Sequence, residues 1–293
     1  MSSQNNLIIN KSKPLIGNLK IPGDKSISHR SIILGALSNG ELTISNFLTS
    51  DDCNATINAM RELGVDISIN DNQVHIKGKG LFSLKKPKHI IDAGNSGTLI
   101  RLLTGVLAVQ DFDSMITGDD SLKKRPMGRI IKPLTSCGAK IKSNEYKAPL
   151  SIYGSPLVNP IEYNQDVASA QVKSCLILSA LHVSGQSTFY EEVQTRDHTE
   201  NLLEHLSCKI NRDSSFFSLE GKQNLIAKDI FIGSDISSAA FFIVASLIVD
   251  GSCIEMRNVN INKLRTGIVT VLKTMGADIQ ISDIKKVSNE LLG

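Results

Sequence analysis

The sequence repeats itself, and this internal repeat limits the possible folds more than any other feature. Four segments share one order of elements: a polar loop, an apolar helix, a strand flanked by glycine, a polar stretch, a second helix and a closing strand that begins near Gly-Ala-Asp-Ile. The first two run from "GDKSISHRSIILGALSNGELTISN" to "INAMRELGVDISI" and from "GNSGTLIRLLTGVLA" to "IKPLTSCGAKI". The last two run from "ASAQVKSCLILSALHVSGQSTFYE" to "ENLLEHLSCKI" and from "SDISSAAFFIVASLIVDGSCIEMRN" to "VTVLKTMGADIQI".

The spacing of the repeats predicts a multi-element module. The residues predicted to open the first helix of each unit are Asp24, Asn95, Ser169 and Asp235, which are separated by 71, 74 and 66 residues. This period is longer than the roughly 20 to 50 residues of solenoid repeats, so each unit is expected to be an α/β module. Segments such as "ELTISNF" and "STFYEEV" alternate apolar with polar residues, whereas the helices are mostly apolar. We therefore expect an inside-out α/β fold with buried helices and sheets outside.

Composition and cysteine usage restrict the class of protein. With 293 residues and 41% hydrophobic content the chain can bury a large core, and a net charge of +3 is too small to predict a nucleic-acid or membrane partner. The longest apolar run, 239–249, is shorter than the ~20 residues that span a bilayer and predicts a buried helix. The five cysteines form no Cys-x-x-Cys pair, and "MSSQNNLIINKSK" lacks the apolar core of a signal peptide. We expect core cysteines and a cytoplasmic protein.

Cations stand where the predicted helices begin, although the dipole at that end favours anions. Loops rich in Gly, Ser and Asn leave backbone N–H groups free at the same places. If the units pack symmetrically, these helix starts meet at one face and form a cleft for multiply charged anions. The cations concerned are Lys25, Arg30, Arg101, Lys123, Lys124, Arg125, Arg129, Lys173 and Arg196.

Each of these features alone has an ordinary explanation. A single Lys or Arg in a first helical turn is usually solvated, and "LKKRPMGR" by itself is typical of a solvated loop. The six histidines form no His-x-x-x-His pair, and His198 and His205 lack a clear third ligand, so no metal site is predicted. The same arrangement recurs in register in successive units, and this favours the anion-binding cleft.

Five motifs in order make the chain similar to the EPSP synthase family, and the resemblance covers nearly all of the sequence. They are "PGDKSISHR", "DAGNSGTLIR", "GDDSLKKRPMGR", "ASAQVKS" and "TRDHTE", followed by "GSDISSAAFFIVAS" and "RTGIVTVLKTMGADI". The forms "SAQVKS" and "TRDHTE" resemble the class II branch, whereas "NKLRTG" departs from the Pro and Thr usual there.

The resemblance implies a reaction and a domain organisation. The family transfers the enolpyruvyl group of phosphoenolpyruvate to the 5-hydroxyl of shikimate 3-phosphate and releases phosphate, without a metal or organic cofactor. It has six βαβαββ-type units in two domains, so residues 21–233 are expected to form a complete three-unit domain. Residues 1–20 and 234–293 are expected to form part of the second, with one of its three units. Family motifs supplying an aspartate, a Lys-Glu pair and two arginines are not found in these residues. We therefore expect exposed helix faces in the fourth unit, and marginal solubility or association with a complementary piece.

Residue roles follow from the resemblance by position. Lys25 is the implied catalytic residue, with a part in proton transfer. Gly97 stands where family members insensitive to the inhibitor glyphosate carry Ala, which implies sensitivity. The implied shikimate 3-phosphate ligands are Lys25, Ser26, Arg30, Ser169, Ala170, Gln171 and Arg196. The implied phosphoenolpyruvate ligands are Lys25, Asn95, Gly97, Arg125 and Gln171.

Two alternative functions stay open at this point. The sister enzyme that transfers enolpyruvate to UDP-N-acetylglucosamine typically has a Cys before its Arg-Pro, and "GDDSLKKRP" has none. A non-catalytic anion-binding fragment would keep the helix-start loops but lack turnover. The sequence does not predict an oligomeric state.

Overall fold

The computed structural model describes residues 10–155, 159–165 and 167–293. Its helices are α1 (Lys25–Leu37), α2 (Asp51–Glu62), α3 (Gly97–Leu107), α4 (Asp120–Lys123), α5 (Gly128–Ser136), α6 (Ala170–Ala180), α7 (His198–His205), α8 (Ile236–Ile248) and α9 (Gly267–Thr274). Its strands are β1 (Ile16–Leu19), β2 (Asn39–Ser45), β3 (Asp66–Asn70), β4 (Gln73–Lys79), β5 (Ile91–Asp92), β6 (Ser114–Thr117), β7 (Lys140–Asn144), β8 (Lys147–Tyr153), β9 (Glu162–Asn164), β10 (Gln186–Tyr190), β11 (Ile210–Arg212), β12 (Phe216–Glu220), β13 (Ile230–Phe231), β14 (Cys253–Met256), β15 (Lys285–Val287) and β16 (Glu290–Leu292).

Three four-stranded sheets share one topology. Their strand orders are β13-β2-β4-β3, β5-β6-β8-β7 and β9-β10-β12-β11. In each, the first two strands are parallel and the other neighbours are antiparallel. A helix separates the two parallel strands of the second and third units, because a parallel connection needs a crossover. The predicted repeat of α/β units is confirmed.

The first helices of these three units form the centre of the molecule. All residues of α1 from Ile27 onward are buried, and α3 and α6 are buried over most of their lengths. Helices α3 and α6 pack closely because Gly105 has no side chain: a Cβ there would lie 2.1 Å from the Cys175 carbonyl oxygen. The sheets cover this helical core, as the alternating burial of β4 illustrates. The inside-out arrangement is confirmed.

Two strands cross between the first and fourth units. Strand β1 precedes α1 but pairs with β14, whereas β13 precedes α8 but pairs with β2. The crossing segments meet where Asp24 N donates to Gly233 O (2.9 Å) and Asp235 N donates to Pro22 O (2.8 Å). The division into residues 21–233 and the remainder stays a prediction, and residues 1–9 lie outside the described part.

Helix α8 differs from the central helices in its burial. Only Ile236, Ala239 and Ile243 are buried, whereas Phe241 is 79% and Ile248 78% exposed. The helix predicted over 239–249 is present, but the prediction that it is buried is therefore wrong. The reason is that α8 contributes one face to a small apolar cluster, and its other face is uncovered in the described part of the chain. The exposed face implied for the fourth unit is confirmed.

Two smaller predictions also fail. The closing strand expected at "GADIQI" is absent from the described fourth unit, where 276–281 is irregular and the hairpin β15–β16 follows. A strand needs a partner for its backbone groups, and β14 pairs with β1 instead. All five cysteines are free, but Cys253 is exposed rather than part of the core because it lies in the thinly covered fourth unit. No helix among residues 10–155, 159–165 and 167–293 has the length and apolarity to cross a membrane.

Candidate active site

Side chains cap the first helix of every unit. Asp24 Oδ1 accepts from Ile27 N at 2.9 Å, and Asp235 Oδ1 accepts from Ser237 N at 2.9 Å. Ser169 caps α6 in the same way. These three positions match the prediction, because Asp and Ser are preferred N-caps.

The predicted opening residue of the second unit is wrong by one position. Ser96, not Asn95, caps α3, since its Oγ accepts from Leu99 N at 3.1 Å. The Asn95 side chain is used elsewhere: its Nδ2 donates to Asp119 Oδ2 at 2.8 Å, and its Oδ1 accepts from Arg125 Nη2 at 2.5 Å. This bond from Asn95, followed by backbone bonds, holds the pKa of Asp119 below its usual value.

Three guanidinium groups gather around the start of α3. A Cβ built on Gly97 would lie 3.0 Å from Arg125 Nη1 and 3.2 Å from Arg101 Nη1. Burial lowers the pKa of Arg101, and the nearby charges of Arg125 and Arg129 lower it further. Mutual repulsion of this kind marks a place where an anion would be stabilised.

Gln171 joins this group to α6. Its Oε1 accepts from Arg101 Nη1 at 2.7 Å, and its Nε2 donates to Thr98 Oγ1 at 3.1 Å. Ser174 lies three residues further on the same face of α6 and accepts from Arg30 Nη2 at 2.9 Å. The face of α6 therefore connects the starts of α1 and α3.

Arg30 is held in a nearly buried position, with 4% of its surface exposed. Its Nε donates to Thr199 Oγ1 at 2.8 Å, and its Nη1 donates to Ser26 O at 2.9 Å. Burial lowers the pKa of Arg30 to about 10, although the negative charge of Glu200 acts to raise it. The guanidinium therefore stays charged at neutral pH, and hydroxyl and carbonyl oxygens orient it.

Arg265, which the sequence reasoning missed, clamps the helix starts of the first and fourth units. Its Nη1 donates to Asp24 Oδ2 at 3.0 Å, and its Nη2 donates to Asp235 Oδ1 at 3.2 Å. Burial alone would raise the pKa of Asp24, but His198 and Arg265 hold it below its usual value. Burial and the charge of Asp24 raise the pKa of Asp235. The sequence does contain a signal for Arg265. Asp24 and Asp235 are equivalent N-caps, and two neighbouring carboxylates are stabilised by a shared cation.

A histidine connects this clamp to the C-terminal hairpin. Arg265 only donates, so His198 Nε2, at 3.2 Å from Arg265 Nη1, is the acceptor. His198 Nδ1 therefore carries the proton and donates to Glu290 Oε1 at 2.7 Å. Burial would raise the pKa of Glu290, but the bond from His198 helps to hold it below its usual value.

Arg196 and Lys25 lie beside these groups. Burial and the charge of Arg265 lower the pKa of Arg196, whereas Asp24 and Asp235 raise it, which places Arg196 next to the clamp. Lys25 is the first residue of α1, and its Nζ lies 3.0 Å from Asp52 Oδ2.

Lys173 is not a cleft cation, so its prediction is corrected. Its ammonium is buried and lies between two carboxylates, 2.7 Å from Glu191 Oε2 and 2.6 Å from Glu200 Oε1. A buried charge must be paired, and sequence reasoning assigned it no partner. Lys123 and Lys124 are exposed, and Lys123 lies 3.5 Å from Asp120.

The structure thus brings most of the predicted residues together. Asn95 and Arg125 form one hydrogen-bonded pair, and Gly97 and Gln171 are both bonded to Arg101, which the resemblance did not include. A Cβ built on Gly97 would lie close to both guanidinium groups. Ser26 and Ala170 lie in the first turns of α1 and α6. Their roles as ligands stay predictions.

Comparison with known proteins gives one consistent result. A sequence model of the EPSP synthase (3-phosphoshikimate 1-carboxyvinyltransferase) family matches residues 9–291. The 3-phosphoshikimate 1-carboxyvinyltransferases of Ruthia magnifica and Bacillus pumilus are each 48% identical over 97% of this chain, covering 66% and 67% of their own lengths. The solved EPSP synthase of Acinetobacter baumannii superposes with a TM-score of 0.89 at 41% identity, covering 96% of this chain and 64% of that one. The chain therefore spans about two thirds of the length of these relatives.

Proposed function

We propose that the site serves the transfer of the enolpyruvyl group from phosphoenolpyruvate to the 5-hydroxyl of shikimate 3-phosphate, because this chain belongs to the EPSP synthase family. Inorganic phosphate is the second product, and the proposed location is the cytoplasm. The observation that carries the proposal is the cluster of Asn95, Gly97, Arg101, Arg125 and Gln171 at the starts of α3 and α6. Each substrate carries a phosphate and a carboxylate, and helix N-termini and guanidinium groups bind both.

Phosphoenolpyruvate is assigned to the start of α3. Arg125 and Asn95 are hydrogen-bonded there, and the missing side chain at Gly97 leaves both neighbouring guanidinium groups in place. An added methyl would stand 3.0 Å from Arg125 Nη1, so Gly97→Ala would displace this side chain as well as crowd an inhibitor such as glyphosate.

Shikimate 3-phosphate is assigned to the neighbouring start of α6. Ser169 and Gln171 lie at this helix terminus, with Arg196 on the loop before α7. Arg30 uses three of its five N–H groups within the protein and keeps one on each terminal nitrogen. A guanidinium group with a free N–H on each terminal nitrogen can donate to a carboxylate.

The chemistry is acid-base catalysis in a positively charged cleft. Protonation of the phosphoenolpyruvate methylene carbon makes C2 electrophilic, and the 5-hydroxyl oxygen adds to C2 as it loses its proton. The tetrahedral adduct then expels phosphate while the new methyl group loses a proton and the double bond re-forms. Lys25 is the proposed proton carrier, and its ion pair with Asp52 orients Nζ at the start of α1. Arg125 stabilises the departing phosphate.

A phosphate-release assay with both substrates tests the proposal. Arg125→Ala should lower the rate by about 10²-fold or more, because it removes a charged contact to the reacting group. Lys124→Ala, which removes an exposed neighbouring cation, should leave the rate unchanged. Equal rates in the two variants would contradict the assignment. Calorimetric binding of shikimate 3-phosphate without any release of phosphate would favour the anion-binding fragment. The exposed apolar face of α8 is the observation that supports this alternative.

A further inference from the structure

A buried ammonium group lies behind the segment that carries Arg196. Residues 191–197, here called the Arg196 loop, connect β10 to α7 without regular secondary structure. The Lys173 side chain is 2% exposed, and both Glu191 and Glu200 contact its Nζ within 2.7 Å. Two carboxylates in contact with one ammonium leave it no net charge to offer a dissolved anion.

The two oxygens of Glu191 have different partners. Oε2 accepts from Lys173, whereas Oε1 accepts from Thr195 Oγ1 at 2.6 Å and from Thr195 N at 3.2 Å. Glu191 is itself fixed by its backbone, since its N donates to Ser215 O at 2.9 Å. A continuous chain of bonds therefore runs from α6 through Lys173 and Glu191 to the residue before Arg196.

We propose that Lys173 and Glu191 are positioning residues that hold the Arg196 loop at the edge of the cleft, and that neither contacts a substrate. The inference rests on the proposed function only in taking the phosphate of shikimate 3-phosphate as the ligand of Arg196. Charged hydrogen bonds of this kind are stronger than neutral ones, and burial strengthens them.

The Arg196 loop carries a guanidinium group into a site that already holds two others. Arg196 lowers the pKa of Arg30, and Arg265 lowers the pKa of Arg196, so three like charges stand close together. Asp24 and Asp235 attract Arg196 in turn, so electrostatics alone do not fix its position. The hydrogen bonds that Thr195 donates to Glu191 fix the residue before Arg196 and keep the site ready for a phosphate.

Hydrogen exchange at the Arg196 loop tests the anchor without any substrate. Thr195→Val keeps the side-chain shape but removes the 2.6 Å bond, and Thr195→Ser retains a hydroxyl. We expect amides of the loop to exchange about tenfold faster in Thr195→Val, the loss of one hydrogen bond to a charged group, and at the wild-type rate in Thr195→Ser. Equal exchange in wild type and Thr195→Val would overturn the proposal.

Glu191→Gln separates positioning from direct binding by the sign of its effect. If Lys173 bound the substrate, removal of a neighbouring negative charge would strengthen shikimate 3-phosphate binding. The proposal predicts binding weaker by about tenfold in calorimetry, because the Arg196 loop is released. Glu192→Gln removes the same charge from an exposed neighbour and should leave affinity unchanged.

These two experiments have separate meanings. Tighter binding in Glu191→Gln, or equal weakening in Glu192→Gln, would contradict the positioning role. If wild type binds no shikimate 3-phosphate, the proposed function fails, whereas the exchange rates of the Thr195 variants still decide whether the Arg196 loop is anchored.

Discussion

Helices α6 and α8 open equivalent units, yet they lie in opposite environments. Helix α6 contains a lysine, a glutamine and two serines, and all of its residues but Gln171 are buried. Helix α8 contains two phenylalanines and five aliphatic residues larger than alanine, yet only three of its residues are buried. Burial in this molecule therefore follows from the neighbours that each helix finds rather than from how apolar the helix is.

The difference also separates two kinds of stabilisation. In α6 the buried ammonium of Lys173 is paired with two carboxylates inside a close-packed core, whereas α8 rests on a cluster of six buried apolar residues. Contiguous exposed apolar surface marks a docking or aggregation surface. The first three units should therefore respond strongly to substitution, and the fourth weakly.

The largest expected effect is loss of the buried cation. Lys173→Met leaves two buried carboxylates without their partner, and we expect a loss of about 3–5 kcal/mol in the free energy of unfolding. Lys273→Met makes the same change on the exposed surface of α9 and should have little effect. Urea denaturation of both variants measures the difference, and similar losses would break the contrast between the two regions.

A matched pair of leucines gives the next effect. Leu176 in α6 is 0% exposed and Leu247 in α8 is 39% exposed. Leu176→Ala should lower the free energy of unfolding by about 2–5 kcal/mol, because it leaves a cavity in a packed core. Leu247→Ala should cost clearly less, and a larger loss from Leu247→Ala in the same denaturation experiment would show that the face of α8 is covered.

A fall in pH should lower the free energy of unfolding through His29, which lies in the first unit. Burial lowers the pKa of His29 to about 3 from 6.5, so the folded state holds this ring neutral. The unfolded state binds the proton below pH 6.5, and stability is lost as pH falls from there towards 3, by up to ~1.4 kcal/mol per pH unit. His29→Gln should reduce this slope in denaturation midpoints measured between pH 7 and 4.5. An unchanged slope would exclude His29 as its source.

The smallest change in stability is expected on the exposed face of α8. Phe241 is largely exposed, so Phe241→Glu should alter the free energy of unfolding by no more than ~0.5 kcal/mol. It should nevertheless reduce light scattering by concentrated samples, because the exposed apolar face becomes charged. Scattering equal to that of wild type would show that α8 plays no part in association.

The repeat and its element types could be predicted because they depend on local pattern. Apolar helices, alternating strands and the caps at Asp24, Ser169 and Asp235 all follow from residues close together in sequence. The shift from Asn95 to Ser96 at α3 could not be predicted, because it depends on Arg125 and Asp119 binding the Asn95 side chain.

The pairing of charged side chains in the site could not be predicted from the sequence. Asp24 and Arg265 are 241 residues apart, and only the fold brings them to 3.0 Å. Lys173 has the spacing of a cleft residue, but its side chain turns to Glu191 and Glu200 in the interior. The exposure of α8 likewise depends on which elements pack against it, and a hydrophobic pattern does not contain that information.

The location of bound shikimate 3-phosphate in a crystal structure of this chain tests the central claim most directly. The account predicts that the ligand lies between the starts of α1 and α6, with its anionic groups within hydrogen-bond distance of Arg30, Gln171 and Arg196. A ligand bound at another surface, with these three side chains unchanged and uncontacted, would contradict it.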